Sequence, residues 1–234
     1  MTIASNLSAI HDRIAHAAQR AGGNPAAIAL MAVCKTQPAA KIIEAYQAGQ
    51  RLFGENRVQE FSEKVGALAH LRDAEFHMIG HLQSNKAPKA AEVFHAIDSL
   101  DSAKLAERLN AAGEKLGKTL DILIEINVGG EEAKSGIAPH SPELESILAG
   151  APTWKHLRIR GLMAVPPFTE DSEGARPYFR QLRELRDGLA ARNLPGLALD
   201  VLSMGMSHDF EAAIEEGSTC VRIGAAIFGD RPKP

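Results

Sequence analysis

The sequence predicts an α/β fold, a single TIM-like (β/α)8 barrel with an extra N-terminal helix. Eight short apolar runs alternate with longer segments of helical periodicity, a pattern typical of right-handed βαβ units and a parallel sheet. Eight such units in about 200 residues fit a closed barrel at the small end of its size range. An open doubly wound sheet is the alternative, but no Gly-x-Gly-x-x-Gly follows the first run, which favours the barrel.

The extra helix comes first in the chain. Ile3, Leu7, Ile10 and Ile14 recur at helical spacing, and Gly22-Gly23 ends the run. This spacing predicts an amphipathic helix with one apolar face.

The remaining elements follow in regular order. The apolar runs predict strands at 28–35, 51–55, 75–80, 95–99, 121–128, 158–165, 199–204 and 220–228. Helical segments lie at 38–48, 58–69, 102–116, 142–148, 178–191 and 209–216. No Pro/Gly/Ser-rich linker divides the chain, so we expect residues 1–234 to form one domain. We expect its functional site at the C-terminal strand ends, where the βα loops of a barrel converge.

Composition excludes several classes of protein. The net charge of −3 and the 5% aromatic content do not favour a nucleic-acid binder. No segment resembles a signal peptide or a membrane span of ~18 apolar residues, and Cys34 and Cys220 have no metal-binding spacing. Motifs of serine hydrolases, zincins and P-loop proteins are also absent. We therefore expect a cytoplasmic protein that binds neither nucleic acid, membrane nor metal.

Lys35 is the first candidate for chemistry. Alternation along strand one places Lys35 on the same face as Val33, with Cys34 on the opposite, helix-facing side where we expect an inert thiol. Because Pro38 marks a helix start, we expect Lys35 to be the last strand residue. Desolvation favours a neutral amine, which can attack an aldehyde to form a Schiff base. The alternative is a lysine that extends into solvent from the barrel mouth.

Two other strand ends offer polar groups to the same mouth. Asn56 follows strand two and can either reach into the mouth or cap the next helix. Arg222 lies on strand eight, which is adjacent to strand one only in a closed barrel, so we expect it near Lys35. His81, at the exit of strand three, could also line the mouth. Lys134, after strand five, could bind an anion or be an ordinary solvated lysine.

The loops after strands seven and eight predict a phosphate site. Ser203 and Ser207 supply hydroxyls, while Gly205 and Gly224 let backbone N–H groups approach a ligand closely. These two loops are where barrels frequently bind phosphate. The alternative for Ser207 is that it only caps the following helix.

Eight stretches of the sequence together form a specific pattern. They are AVCKTQP (32–38), FGENRVQE (53–60), FHMIGHLQSNK (76–86), IDSLDS (97–102), EINVGGEEAKSGI (125–137), RGLMAVPP (160–167), LSMGMSHDFEAAIEEGST (202–219) and VRIGAAIFGDR (221–231). They cover almost the whole chain in order, and together they resemble the pyridoxal phosphate homeostasis protein family, single-barrel relatives of the alanine racemase N-terminal domain.

The resemblance implies a fold-type III barrel that binds pyridoxal 5′-phosphate (PLP). It implies that Lys35 forms the Schiff base, that Asn56 lies beside the cofactor and that Arg222 approaches the pyridine nitrogen. It also implies a phosphate cup formed by Ser203, Ser207, Gly224 and Ala225, the last two through backbone N–H. Many relatives have threonine in place of Ala225, so here only the N–H remains.

The resemblance also implies a role in vitamin B6 homeostasis rather than catalysis. We expect a monomer that binds PLP and passes it to PLP-dependent apoenzymes. The catalytic tyrosine and second domain of alanine racemase have no counterpart in the sequence, and Tyr46 and Tyr178 fall inside predicted helices. The alternatives are a PLP-dependent amino-acid racemase or decarboxylase and, third, a cofactor-free Schiff-base lyase.

Overall fold

Eight parallel strands close into a barrel in which each strand pairs with the next and the eighth pairs with the first. The computed structural model describes residues 2–131 and 134–229, and the predicted α/β barrel is confirmed. In chain order the strands are β1 (Ala29–Val33), β2 (Leu52–Glu55), β3 (Glu75–Met78), β4 (Ala96–Leu100), β5 (Leu120–Glu125), β6 (Leu157–Met163), β7 (Leu197–Ser203) and β8 (Cys220–Ile223).

Helices cover the outside of the barrel. In chain order they are α1 (Ile3–Arg20), α2 (Ala39–Gln47), α3 (Val58–Leu68), α4 (Ala87–Val93), α5 (Ala103–Leu116), α6 (Pro142–Gly150), α7 (Arg176–Ala191), α8 (Phe210–Glu215) and α9 (Ala225–Phe228). None of the helices in the described part of the chain is both long and apolar enough to cross a bilayer.

The additional helix α1 lies where the amphipathic pattern predicts it. Thr2 caps its N-terminus by accepting a hydrogen bond from the Ser5 N–H at 3.2 Å, which satisfies one of the free donors of the first turn. Its predicted apolar face is buried, and it packs against α8 and α9. Asn6 Nδ2 donates to the Ile227 carbonyl at 2.9 Å, so α1 also supports the segment that follows β8.

Several elements differ from the sequence-based expectations. Strands β3, β5 and β6 end at Met78, Glu125 and Met163 instead of at 80, 128 and 165. Strand eight ends at Ile223 instead of continuing to 228, because the Ile227 and Phe228 N–H groups bond to the Gly224 carbonyl and start helix α9. Strand one ends at Val33, two residues before Lys35. Helix α4 was not predicted, and its alanine-rich sequence carries little periodic contrast.

Alternation along the strands divides the core into two layers. On β8, Val221 and Ile223 belong to the apolar layer between barrel and helices, while Cys220 and Arg222 alternate to the barrel interior. Cys34 is in the outer layer as predicted, and burial, followed by the Glu55 charge, raises the pKa of its thiol well above the ordinary value. The interior layer therefore supplies the polar residues of the barrel.

The N-terminal end of the barrel holds paired charges around a cavity of about 340 Å³. Arg160 bridges Asp121 at 3.1 Å and Asp200 at 3.0 Å. His77 Nδ1 lies 3.1 Å from Asp98 Oδ1, and the Asp98 carboxylate is buried. Burial lowers the pKa of His77, but the charge and hydrogen bond of Asp98, aided by Glu75, outweigh it and raise the pKa to about 9.

We predict that this pair makes stability depend on pH above neutrality. Since the folded pKa of His77 is about 9 against 6.5 for the ordinary group, its contribution is fully present below pH 6.5 and is lost as pH rises through 9. The free energy of unfolding should fall by up to about 3 kcal/mol over that range. Urea titrations at several pH values measure it.

The matched variants are His77→Gln, which should flatten this part of the pH profile, and His16→Gln, an exposed histidine on α1, which should leave it unchanged. A His77→Gln profile parallel to that of the wild type would contradict the assignment.

Candidate functional site

A cavity of about 400 Å³ opens at the C-terminal end of the barrel. Side chains and backbone from six separate βα connections line it, so residues far apart in sequence meet there. Six of the seven predicted cofactor-binding residues are among its lining: Lys35, Asn56, Ser207, Arg222, Gly224 and Ala225.

Lys35 lies in a tight turn rather than at the end of the strand. The Gln37 N–H donates to the Cys34 carbonyl at 3.0 Å, which closes a turn immediately after the last ladder contacts of β1. Thr36 has a left-handed φ of 65°, an uncommon conformation for a β-branched residue. The half-buried Lys35 side chain lines the cavity from this turn, so the prediction that it is the last strand residue is wrong although it does reach the mouth.

Asn56 lines the cavity and does not cap helix α3. The cap position belongs to Arg57, and no side-chain hydrogen bond is made there. The buried Oδ1 atom of Asn56 has no hydrogen-bond partner among the described residues. A Cβ at Gly80 would lie 2.4 Å from the Asn56 carbonyl oxygen, so the glycine permits the close packing that places Asn56 at the cavity wall.

The loops after β7 and β8 supply hydroxyl and backbone donors. Helix α8 begins at Phe210, with Asp209 at its cap, so Ser207 lines the cavity and does not cap that helix. Helix α9 begins at Ala225, and the first N–H groups of a helix have no acceptor within it.

The two glycines of these loops have different physical roles. Gly205 has φ of 94°, and a Cβ there would lie 2.6 Å from the Ala213 Cβ, so the fold itself requires this glycine. Gly224 has φ of −115°, and a Cβ there would make only ordinary contacts with Val33 at 3.4 Å or more. The fold does not require a glycine at 224, where a small residue leaves the backbone open to the cavity.

Arg222 extends from β8 into the barrel and is held rigidly. Its Nη1 donates to Ser203 Oγ at 2.7 Å, and its Nη2 donates to the Ala164 carbonyl at 2.8 Å. Burial lowers the pKa of Arg222 from its ordinary value. Ser203 is fully buried and does not line the cavity, so the structure places it beneath the cavity, in contact with Arg222.

The cavity also contains residues that the sequence reasoning did not single out. Phe168 is 84% exposed and stacks on His208, with ring centroids 5.5 Å apart, and both rings line the cavity. Both follow barrel strands, β6 and β7, so their position at the strand exits was a usable signal. They add an aromatic wall to a lining that combines the polar groups with apolar side chains such as Val33, Ile79 and Met206.

Two weaker candidates lie elsewhere. His81 bonds to Asp101 at 2.9 Å and lines a neighbouring groove instead of this cavity. Lys134 pairs with Glu131 and donates to the Pro166 carbonyl at 3.2 Å. Among the described residues no group of three or more His, Cys, Asp or Glu side chains could hold a metal ion.

Comparison with known proteins places this geometry in a family. Residues 5–232 match the family described as alanine racemase, N-terminal domain. The chain is 45% identical over 231 residues to a pyridoxal phosphate homeostasis protein of Aquifex aeolicus, covering 99% of each chain. PipY of Synechococcus elongatus, solved with PLP bound, is 38% identical with a TM-score of 0.84, covering 97% of this chain and 100% of that one.

A more distant similarity concerns the fold alone. Alanine racemase of Clostridium difficile is 14% identical with a TM-score of 0.75, covering 99% of this chain and 57% of the racemase. Because the family match spans nearly all residues and the curated relative aligns end to end, the resemblance seen in the sequence is confirmed. The chain belongs to the alanine racemase N-terminal domain family and, within it, to the pyridoxal phosphate homeostasis proteins.

Proposed function

We propose that this protein binds PLP in the cavity at the C-terminal end of the barrel and serves vitamin B6 homeostasis as a carrier. The observation that carries this proposal is the meeting of one lysine amine with an arginine and with backbone and hydroxyl donors around one cavity. An aldehyde that also bears an anionic phosphate and an aromatic ring needs this combination. The relatives named for PLP homeostasis, and PipY with PLP bound, support the same assignment.

The residues present fit that cofactor on two structural observations. Asn56 presents a buried Oδ1 without a partner among the described residues, and a buried polar atom without a partner is costly. The fold tolerates a Cβ at position 224, but a Cβ there would block a ligand that approaches the Gly224 backbone. Both features make sense if a polar ligand fills the cavity.

At the aldehyde end we assign Lys35. When bound, the cofactor supplies an electrophilic aldehyde carbon. The Lys35 Nζ adds to that carbon, C=N replaces C=O and one water leaves, so the Schiff-base linkage needs no oxidant or reductant. The turn at 34–37 directs this amine to the cavity.

At the phosphate end we assign Ser207 and the backbone N–H groups of Gly224 and Ala225. A helix N-terminus and open backbone donors favour an anion, and the hydroxyl adds one further hydrogen bond. Ser203 contributes from below by holding Arg222 in place.

At the ring end we assign Asn56 and Arg222, with Arg222 facing the pyridine nitrogen. An arginine in a protein remains a cationic donor, and a cation beside the nitrogen disfavours its protonation. This weakens the electron withdrawal on which amino-acid carbanion chemistry depends. We therefore propose a PLP carrier that is not an enzyme.

The wider role follows from the same site. We propose that residues 1–234 act as one PLP-binding domain, as a monomer in the cytoplasm, and that PLP-dependent apoenzymes receive the cofactor. The end-to-end alignment with a relative named for PLP homeostasis supports this role.

The first prediction from this proposal concerns Lys35. Lys35→Ala and Lys35→Arg should both abolish covalent PLP attachment, because neither side chain offers a nucleophilic amine, while Lys35→Arg keeps the positive charge. Borohydride reduction of the PLP-loaded protein, followed by peptide mapping, measures the attachment.

The control is Lys104→Ala, an exposed lysine on α5, which should label like the wild type. Stoichiometric reduction of PLP onto the Lys35→Arg protein would refute the assignment.

The second prediction concerns the exposed aromatic at the rim. Phe168 lines the cavity, and its highly exposed side chain makes little apolar contact with the rest of the protein. Phe168→Ala should speed PLP release about two- to tenfold, the loss expected for one aromatic contact. Transfer of PLP to an excess of a scavenging apoenzyme measures the release rate.

Leu116→Ala removes an apolar side chain of 47% exposure at the end of α5 and is the control, with release expected at the wild-type rate. Equal release rates for Phe168→Ala and Leu116→Ala would remove Phe168 from the site.

The third prediction separates the carrier from a racemase or decarboxylase. The PLP-loaded protein should not exchange the Cα hydrogen of amino acids in heavy water or release their carboxylate at a rate useful for catalysis. Proton NMR on a panel of L- and D-amino acids, with a known racemase as the positive control, measures both. Sustained turnover of any amino acid would contradict the carrier proposal.

A further inference from the structure

The two residues on either side of Lys35 are joined by one network of charged side chains. The network runs from Cys34 through Glu55, Lys64 and Glu60 to Thr36, and we refer to these five residues as the clamp. Its members come from the β1–α2 turn, from the last residue of β2 and from helix α3. The chain of contacts begins one residue before Lys35 and ends one residue after it.

Each contact of the clamp is short. Glu60 Oε1 accepts the Thr36 N–H at 2.8 Å and the Lys64 Nζ at 2.9 Å. The same Nζ donates to Glu55 Oε1 at 2.9 Å, and the Cys34 thiol lies 3.5 Å from that oxygen. The central lysine thus bridges two carboxylates that hold opposite ends of the turn.

The clamp constrains the backbone of Thr36 in a conformation that is unfavourable by itself. Thr36 has φ of 65°, and a β-branched residue keeps this left-handed conformation only where its surroundings impose it. The hydrogen bond from its N–H to Glu60 is such a constraint. Without it, Thr36 can return to negative φ and rotate the preceding peptide, which carries Lys35.

The inner part of the clamp is shielded from solvent, whereas its outer end, the contact between Glu60 and the Thr36 N–H, is accessible to solvent. The Glu55 side chain is fully buried and that of Lys64 is 14% exposed. Although burial lowers the pKa of Lys64, its bonds to Glu60 and Glu55 outweigh this and raise it. Lys64 therefore stays charged, and its contacts are screened less than those of a surface pair.

We propose that the clamp is a positioning device that sets the direction of the Lys35 amine, with Glu60 as its decisive member. Glu60 does not line the cavity; it acts through the backbone of Thr36. The inference rests on the proposed function, since it concerns the attachment of PLP to Lys35. Its consequence is an amine that already points into the cavity before the cofactor arrives.

The test compares the rates at which PLP attaches to residue 35. After rapid mixing, the reaction is quenched with borohydride at successive times, and the attached PLP is measured. Glu60→Ala removes the acceptor of the Thr36 N–H and should slow attachment by about tenfold or more, as misplacement of a reacting group does. Glu60→Gln keeps a side-chain oxygen at that place and should restore most of the rate. Glu63→Ala, an exposed glutamate on the same helix, is the matched control and should attach PLP like the wild type.

A double variant separates positioning from stability. Glycine adopts positive φ without strain, so Thr36→Gly added to Glu60→Ala should recover part of the attachment rate while leaving the lost contact unreplaced. A merely structural role for Glu60 would instead lower the thermal unfolding temperature without this recovery. If Glu60→Ala does not fold, Glu60→Asp replaces it in the comparison with the wild type and Glu60→Gln. The shorter side chain of Glu60→Asp should not reach Thr36, so this variant should attach PLP slowly.

The outcomes distinguish the two proposals. Absence of PLP on residue 35 in the wild type overturns the proposed function and the clamp together. Normal attachment in the wild type and an equally fast reaction in folded Glu60→Ala, or in Glu60→Asp where that variant replaces it, overturns the clamp alone. A Glu60→Gln protein as slow as the variant without the acceptor also overturns the role of the Thr36 hydrogen bond.

Discussion

Pairing of β1 with β8 is the contact on which the rest of the site depends. It closes the barrel in parallel register, with Met31 level with Arg222 and Ala32 level with Ile223. The closure brings the turn after β1 beside the loop after β8, although almost two hundred residues separate them. Lys35, Gly224 and Ala225 therefore line one cavity, and an open sheet with the same strands would leave them on opposite edges.

The closed barrel also holds a cation in its interior. Arg222 is 4% exposed, and a buried guanidinium is tolerated only with partners for its donors. Ser203 and the Ala164 carbonyl provide them from β7 and the end of β6. The result is a cation held at the cavity by neighbours on two other strands, and we propose that the turn and the clamp direct Lys35 to the same cavity.

Sequence patterns were sufficient for much of this arrangement, and their failures have physical causes. Strand order and the position of Lys35, Asn56 and Arg222 at the mouth follow from alternation and from the barrel rule. The end of β8 was misplaced because IGAAIF is as apolar as a strand, and only the hydrogen bonds to the Gly224 carbonyl reveal a helix. Ser203 carries the same hydroxyl as Ser207, yet one faces Arg222 inside the barrel and the other the cavity.

The sequence by itself determined the fold class, the family and the residue types that the site contains, because these depend on periodicity and on motifs that are local in the chain. Only the tertiary structure decided which of those residues face the cavity, that Phe168 and His208 join them, and that Glu55, Lys64 and Glu60 link the two neighbours of Lys35. Such contacts depend on distances between elements and on the direction of each side chain. Lys35 was visible as a candidate from its own strand, but the groups that contact its two neighbours come from β2 and α3.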